Sequence, residues 1–229
     1  MLISVVATTY KSEEYLQGFF ENLLLQTYKN FEVVLVLNDP SEKELSILES
    51  YQSLLNIVYI KVPLELTSTS VNSGFKIAKG DIIVATGADD LFIENAFECF
   101  INAFLDNLNI DVIYCDHIAV DPTGKKLWQR TFQNFDFNIL KKRYYMSPCN
   151  IFKRSILDNE DGFKEEYNLA ADYEFMLRLA SKGYKFLRIP KILFKFVRYS
   201  YSLTKVNSKA HQRIITTVRN IYNSVELME

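Results

Sequence analysis

Four carboxylates in this chain stand where a carboxylate can act on a ligand: Asp39, the adjacent pair Asp89 and Asp90, and Asp172. The first three follow stretches that read as β-strands, and in an open parallel sheet ligands lie beyond the carboxyl ends of the strands. The loops at residues 9–12, 38–41 and 87–91 are therefore the ones to watch. Two neighbouring acids closing the run Ile82-Ile83-Val84-Ala85-Thr86 suit a hard divalent cation, which takes oxygen ligands, or else one of them caps the helix that follows. Asp39 lies in Asn38-Asp39-Pro40-Ser41, so it can offer a ligand an acceptor or make an Asx turn or helix cap. Asp172 heads a helical stretch, where its charge suits the helix dipole and where it could also take a proton.

Other chemistries lack their residues. Two histidines, His117 and His211, exclude a histidine-rich metal centre, and a Ser-His-Asp triad would need one of them. Cys99, Cys115 and Cys149 form no Cys-x-x-Cys pair and read as reduced, buried thiols of a cytoplasmic protein. Neither a Gly-x-Gly-x-x-Gly nor a Gly-Lys-Ser/Thr loop is present, and seven glycines leave little room for one. The basic residues belong to no recognisable DNA- or RNA-binding module, so no nucleic-acid partner is expected.

Alternating strands and helices must hold these acids. Strands are predicted at 2–8, 31–37, 57–62 and 82–86, with helices at 15–26, within 42–53, and at 71–78 between them. This alternation implies right-handed βαβ crossovers and a mostly parallel sheet. A helix at 94–108 follows, then strands at 112–120 and 125–130 around the turn Asp121-Pro122-Thr123-Gly124. A helix at 172–182 stopped by Gly183, strands at 184–189 and 192–196 and a helix at 210–227 complete the reading. With 229 residues, 48% hydrophobic and 24% charged, the chain suits one α/β domain with a real core. No apolar run approaches the ~20 residues of a membrane span. The net charge of −2 hides an asymmetry: from Phe175 to Val225 there is no Asp or Glu, but there are eleven Lys and Arg. That segment is either a solvated face or a surface that meets an anion.

Six pieces of sequence, in order, resemble family 2 glycosyltransferases. They begin with Ser4-Val5-Val6-Ala7-Thr8-Thr9-Tyr10, Leu24-Leu25-Gln26-Thr27-Tyr28 and Phe31-Glu32-Val33-Val34. They continue with Ala78-Lys79-Gly80-Asp81, Asp89-Asp90, and Ala171-Asp172-Tyr173-Glu174 leading into Leu177-Arg178-Leu179. The resemblance spans roughly residues 3–204. It implies an α/β fold of GT-A type: a mostly parallel nucleotide-binding sheet flanked by helices, with a smaller mixed acceptor-side region. One domain over 1–229 is implied, residues 1–110 binding the nucleotide-sugar and 111–229 facing the acceptor.

The resemblance further implies an inverting glycosyltransferase, with Asp172 as general base and Mn²⁺ or Mg²⁺ held by Asp89 and Asp90. Asp39 would accept from a nucleobase walled by Thr8, Thr9 and Tyr10, and Asn72 and Asp89 complete the implied nucleotide contacts. The donor would be UDP-, dTDP- or GDP-linked, and the acceptor a glycan or lipid-linked hydroxyl. Arg178, Arg198 and Lys205 are candidate phosphate or acceptor contacts. The basic, aromatic-rich C-terminal segment suggests peripheral association with the inner face of a membrane. Several positions depart from the family pattern: Gly87 replaces a carboxylate, Ala171 a glutamate, Val71 an arginine and Tyr199 a histidine. They keep a second reading open, a non-catalytic module that binds nucleotide-sugar or glycan. A nucleotidyltransferase would need a glycine-rich phosphate loop near the N-terminus, which is missing.

Overall fold

The computed structural model describes residues 1–199 and 208–225. Its first half follows the alternation in the sequence: β1 (Ile3–Thr9), α1 (Leu16–Leu24), β2 (Phe31–Asn38), α2 (Glu42–Tyr51), β3 (Ile57–Val62), α3 (Thr67–Ile77) and β4 (Ile82–Gly87). β1 lies between β2 and β4, and β3 flanks β2, all parallel. The strands read as near-continuous β-branched runs because helices cover both faces of the sheet. Ile3, Val5 and Ala7 pack on one face with α1 and α4 (Ala96–Asp106), whereas Val6 and Val34 meet Val71 and Phe75 of α3 on the other.

The second half is mixed. After the short β5 (Leu91–Phe92) come β6 (Val112–Val120), β7 (Lys126–Arg130), α5 (Phe137–Lys142) and β8 (Asn150–Lys153). Two 3-10 turns at Arg154–Asp158 and Glu165–Ala170 lead into α6 (Ala171–Ser181), β9 (Phe186–Val197) and α7 (Ser208–Tyr222). Among the described residues one sheet runs β3-β2-β1-β4-β8-β6-β9-β5, with β7 paired to β6. The four residues of β8 run antiparallel to both β4 and β6 and so join the two halves.

The two strands predicted at 184–196 are one. Cys115 of β6 pairs with Ile189 and Asp116 with Ile192, so Pro190 and Lys191 form an irregularity rather than a break. Proline cannot donate to a ladder, which is why it falls at this slip. Gly183, at φ 84°, ends α6 as expected. α7 buries Ile215, Val218 and Tyr222 against the α6 side of the core.

Candidate functional site

Strand ends, two helix N-termini and the link through β8 converge on one cavity of about 210 Å³. Thr8 of β1 and Thr86 and Gly87 of β4 form its floor, and Thr67 and Ser68 of α3 form one wall. Asn168, whose Oδ1 accepts the Ser68 N–H at 3.3 Å, joins Asn150, Phe163 and Asp172 in completing the lining. Parallel pairing sets Thr8 beside Gly87. The structure thus gathers Thr8 and Asp172, 164 residues apart in sequence, around one space.

Asp172 lies in the first turn of α6 and is half-buried. Burial pushes its carboxyl up to about 6, against the pull of the Tyr173 N–H, its own N–H and the Tyr144 hydroxyl. The Tyr173 N–H donates to Asp172 Oδ1 at 2.8 Å. A carboxylate near 6 is a stronger base than a solvated one and is still ionised at neutral pH.

Asp89 and Asp90 follow β4. Asp90 is 6% exposed, and Oδ1 accepts the Val197 N–H at 3.1 Å, pinning the end of β9 to this loop. Burial raises the Asp90 carboxyl well above its ordinary value, and the neighbouring Asp89 charge adds to the rise. Burial raises Asp89 as well. Neither acid caps α4: Asn95 is its N-cap and makes no side-chain cap bond. A Cβ at position 87 would collide with Asp89 Oδ1, so Asp89 leans into space that a side chain at 87 would fill. No group of three or more His, Cys, Asp or Glu side chains gathers for a metal among the described residues.

Asp39 is exposed, sits at φ 51°, and no described residue hydrogen-bonds its carboxylate. The turn and cap alternatives are met by its neighbours. Ser41 and Glu44 form the capping box of α2, and Glu44 Oε1 also accepts the Ser12 N–H at 2.8 Å, tying the β1–α1 loop to α2. Asn38 clamps the segment before α3 through Glu65 N–H and C=O, at 3.1 and 3.0 Å. Thr9 is buried, and its Oγ1 finds no partner among the described residues. Tyr10 is exposed and carries Lys11 Nζ at 5.2 Å from its ring. The Tyr199 ring packs 5.4 Å from Tyr15, whose hydroxyl donates to Tyr10 C=O, so the chain leaving β9 crosses this loop. That path brings Arg198 next to the Val197–Asp90 contact.

Two candidates have other work. Asn72 is half-buried and spent on Phe163: its Nδ2 donates to the carbonyl and its Oδ1 accepts the N–H, each at 2.7 Å. It holds the loop behind the cavity rather than facing a ligand. Arg178 is 7% exposed. It pairs with Glu174 at 3.1 Å and Glu160 at 3.5 Å, and donates to the carbonyls of Asp161 and Gly162 at 2.7 Å each. It faces the core because it lies on the i, i+4 row of Glu174, itself buried. Lys182 and Arg188 of the basic segment are likewise paired, with Glu160 and Asp116. Lys205 lies outside the described residues. Tyr144 and Asn150, which adjoin Asp172, carry no sequence signal; only the placement of β8 reveals them.

The chain as a whole is similar to known glycosyltransferases. An uncharacterised glycosyltransferase of Methanocaldococcus jannaschii is 29% identical over 204 residues, covering 85% of this chain and 70% of that protein. The poly(ribitol-phosphate) β-N-acetylglucosaminyltransferase TarS of Staphylococcus aureus is 28% identical, over 78% of this chain but only 32% of its own length. The crystal structure of residues 1–349 of TarS with UDP-GlcNAc superposes with a TM-score of 0.79 at 22% identity, over all of this chain and 68% of that one. A mannosyltransferase of Pyrobaculum calidifontis in complex with GDP-Man and Mn²⁺ gives 0.73 at 16% identity, over 99% of this chain and 65% of that one. The fold is that of GT-A glycosyltransferases. The profile described as "Glycosyl transferase family 2" matches residues 4–160, more than half of the sequence, and the chain belongs to that family.

Proposed function

We propose that this chain transfers a sugar from a nucleotide-sugar to an acceptor hydroxyl with inversion at the anomeric carbon. The observation that carries the reading is Asp172: a half-buried carboxylate, pushed up to about 6, on the wall of a cavity floored by the ends of β1 and β4. The cavity is smaller than the ~300–1,000 Å³ of a typical small-molecule site. It suits the sugar and its reacting end, with the nucleotide lying outward across residues 8–10 and Asp39. Asp39 accepts from an N–H edge of the base, and Tyr10 offers a ring. The residue 1–110 half thus serves the donor and the remainder the acceptor.

In the transfer step the acceptor oxygen attacks the anomeric carbon while the bond from that carbon to the diphosphate oxygen breaks. The acceptor proton passes to Asp172, and the diphosphate leaves with the bonding pair. The Tyr173 N–H holds the carboxylate in place, and the nearby Tyr144 hydroxyl favours its ionised form. The first turns of α3 and α6 border the cavity, and helix N-termini favour an anion.

Asp89 and Asp90 fit a hard cation: they are adjacent, desolvated and mutually repelling, and they leave most coordination positions to oxygens of a bound diphosphate. They would hold Mn²⁺ or Mg²⁺, which supplies neutralisation of the departing charge. Arg198, next in sequence to the Val197 that binds Asp90, would add a positive charge on leaving the Phe196 ring it now covers. No helix among the described residues is long and apolar enough to cross a membrane. A cytoplasmic enzyme working on a glycan or a lipid-linked hydroxyl, held loosely at the membrane by its basic face, fits the exposed Lys209 and Arg213 of α7.

A second reading, a binding module without turnover, draws on Gly87 and Tyr199 in place of expected ligands. A thermal-shift panel of UDP-, dTDP- and GDP-sugars with and without Mn²⁺ tests the donor site, because a specific ligand stabilises the fold as ln(1 + [L]/Kd). One nucleotide class should raise Tm, more so with Mn²⁺. No shift with any of them would remove both readings, and binding without turnover would leave the module.

A further inference from the structure

Tyr144, whose hydroxyl donates to Asn150 of the Asp172 cavity at 3.4 Å, lines a second cavity. That second cavity, about 580 Å³, is lined by Arg130 and Thr131 at the end of β7, Gln133 beyond it, and Arg143, Tyr144 and Tyr145 after α5. No Asp or Glu lines it. Arg130 and Arg143 are both exposed, and neither guanidinium has a carboxylate within ion-pair distance among the described residues. Arg130 lies 5.4 Å from the Trp128 ring instead. Nearby acids are engaged elsewhere. Asp116 is held by Arg188 at 2.7 Å and by the Phe132 N–H at 3.0 Å, and Asp136 caps α5 through the Ile139 N–H at 3.2 Å. His117 adds no charge, since burial and Arg130 lower it to about 4.

Two unpaired guanidinium groups converging on a polar cavity, beside hydroxyl and amide donors, make a receptor for an oxyanion. We infer that this cavity is an acceptor subsite that seats an oxyanion of the acceptor, a phosphate or carboxylate group, between Arg130 and Arg143. Its assignment to the acceptor rests on the transferase reading. Tyr144 connects it to the base: Tyr144 lines this cavity, its hydroxyl donates to Asn150 of the Asp172 cavity at 3.4 Å, and it is near enough to Asp172 to influence its carboxyl, so a molecule anchored here can extend its hydroxyl toward the base. In the transferase reading the donor occupies the cavity at the strand ends, whose lining shares no residue with this one.

The chain carries its own reporter, since Trp128 is its single tryptophan, 38% exposed and in contact with Arg130. Glycerol 3-phosphate and glucuronate are titrated at constant ionic strength against glycerol and glucose, reading Trp128 emission. The expected result is a saturable change with at least one anion and none with the neutral controls. The two anions tell phosphate from carboxylate. Arg130→Gln and Arg143→Gln should each weaken binding about tenfold or more, as for the loss of a charged hydrogen bond. Arg143→Lys, which keeps the charge, should retain part of the affinity. Both arginines are on the surface, and unchanged circular dichroism and nucleotide affinity show that the variants fold.

Absence of a saturable response in the wild type, by Trp128 emission and by NMR of the arginine side chains, would overturn the inference. So would equal affinity in the double variant, or complete displacement of the anion by a saturating nucleoside diphosphate, which would place it in the donor cavity. The donor reading fails separately. If no nucleotide-sugar binds while the anion still requires Arg130 and Arg143, the anion site stands and its role as an acceptor subsite falls.

Discussion

Replacing Asp172 by Asn should stabilise the protein while disabling it. Burial raises this carboxyl from 3.8 to about 6, so the folded state holds a proton that the unfolded chain releases between those values. In that window the native state binds more protons, and wild-type stability therefore falls as pH rises from about 4 to about 6, then stays lower. Two pKa units correspond to about 3 kcal/mol as a ceiling, at 1.36 kcal/mol per unit. Asparagine keeps the Oδ1 that accepts the Tyr173 N–H and never ionises. Urea unfolding of both proteins should show Asp172→Asn more stable by about 1–3 kcal/mol at pH 7.5, with the difference vanishing near pH 4. Sugar transfer by the same variant should fall by about 10²–10⁴-fold at unchanged donor affinity. Wild-type turnover should rise through an apparent pKa near 6 and level above it, because the base acts only when ionised. A variant less stable than wild type at pH 7.5 would show that the charge holds the fold, and the desolvation argument would fail.

The other expectations are more local. Asp39→Gly, which suits φ 51° without strain, should weaken nucleotide binding by about 1–3 kcal/mol while leaving the fold intact; unchanged affinity by calorimetry would remove Asp39 from the site. Mn²⁺ should bind weakly to the free protein and more tightly with nucleotide, and Gly87→Asp should tighten it by displacing Asp89 from the space it occupies; tight binding to the free protein that survives Asp89→Ala would point to another site. Arg178→Ala should cost about 3–5 kcal/mol of stability by stranding the buried Glu174, whereas loss of nucleotide affinity at unchanged stability would restore it as a ligand contact. Vesicles of anionic lipid should sediment the protein at low salt and release it at high salt, and failure at every ionic strength would return the basic segment to a solvated face.

The parallel half of the fold was legible because its signal is local. β-branched runs such as Phe31–Asn38, separated by amphipathic helices, leave few alternatives to βαβ winding. β8 was not, since four residues reading Asn-Ile-Phe-Lys acquire strand character only from the neighbours they bridge. The candidate acids stand out in the sequence by their position after strands, and Asp172 by its place at a helix start. Their environments could not be read: which face of α6 turned inward decided that Asp172 lines the cavity while Arg178 is buried with Glu174. Asn72 misled for the same reason, because its partner, the Phe163 backbone, lies 91 residues away in a loop with no pattern of its own. Gly87 reads as a missing ligand in sequence; in three dimensions it is also the opening that Asp89 leans into.

The most direct test of the central claim needs no knowledge of the acceptor. With water as the acceptor and the α-linked nucleotide-sugar that binds, single-displacement chemistry releases the β anomer first. Proton NMR during enzyme-excess turnover, read before mutarotation, should show β sugar appearing with nucleoside diphosphate in wild type and neither in Asp172→Asn. Release of the α anomer, or equal release by Asp172→Asn, would contradict an inverting transfer with Asp172 as its base.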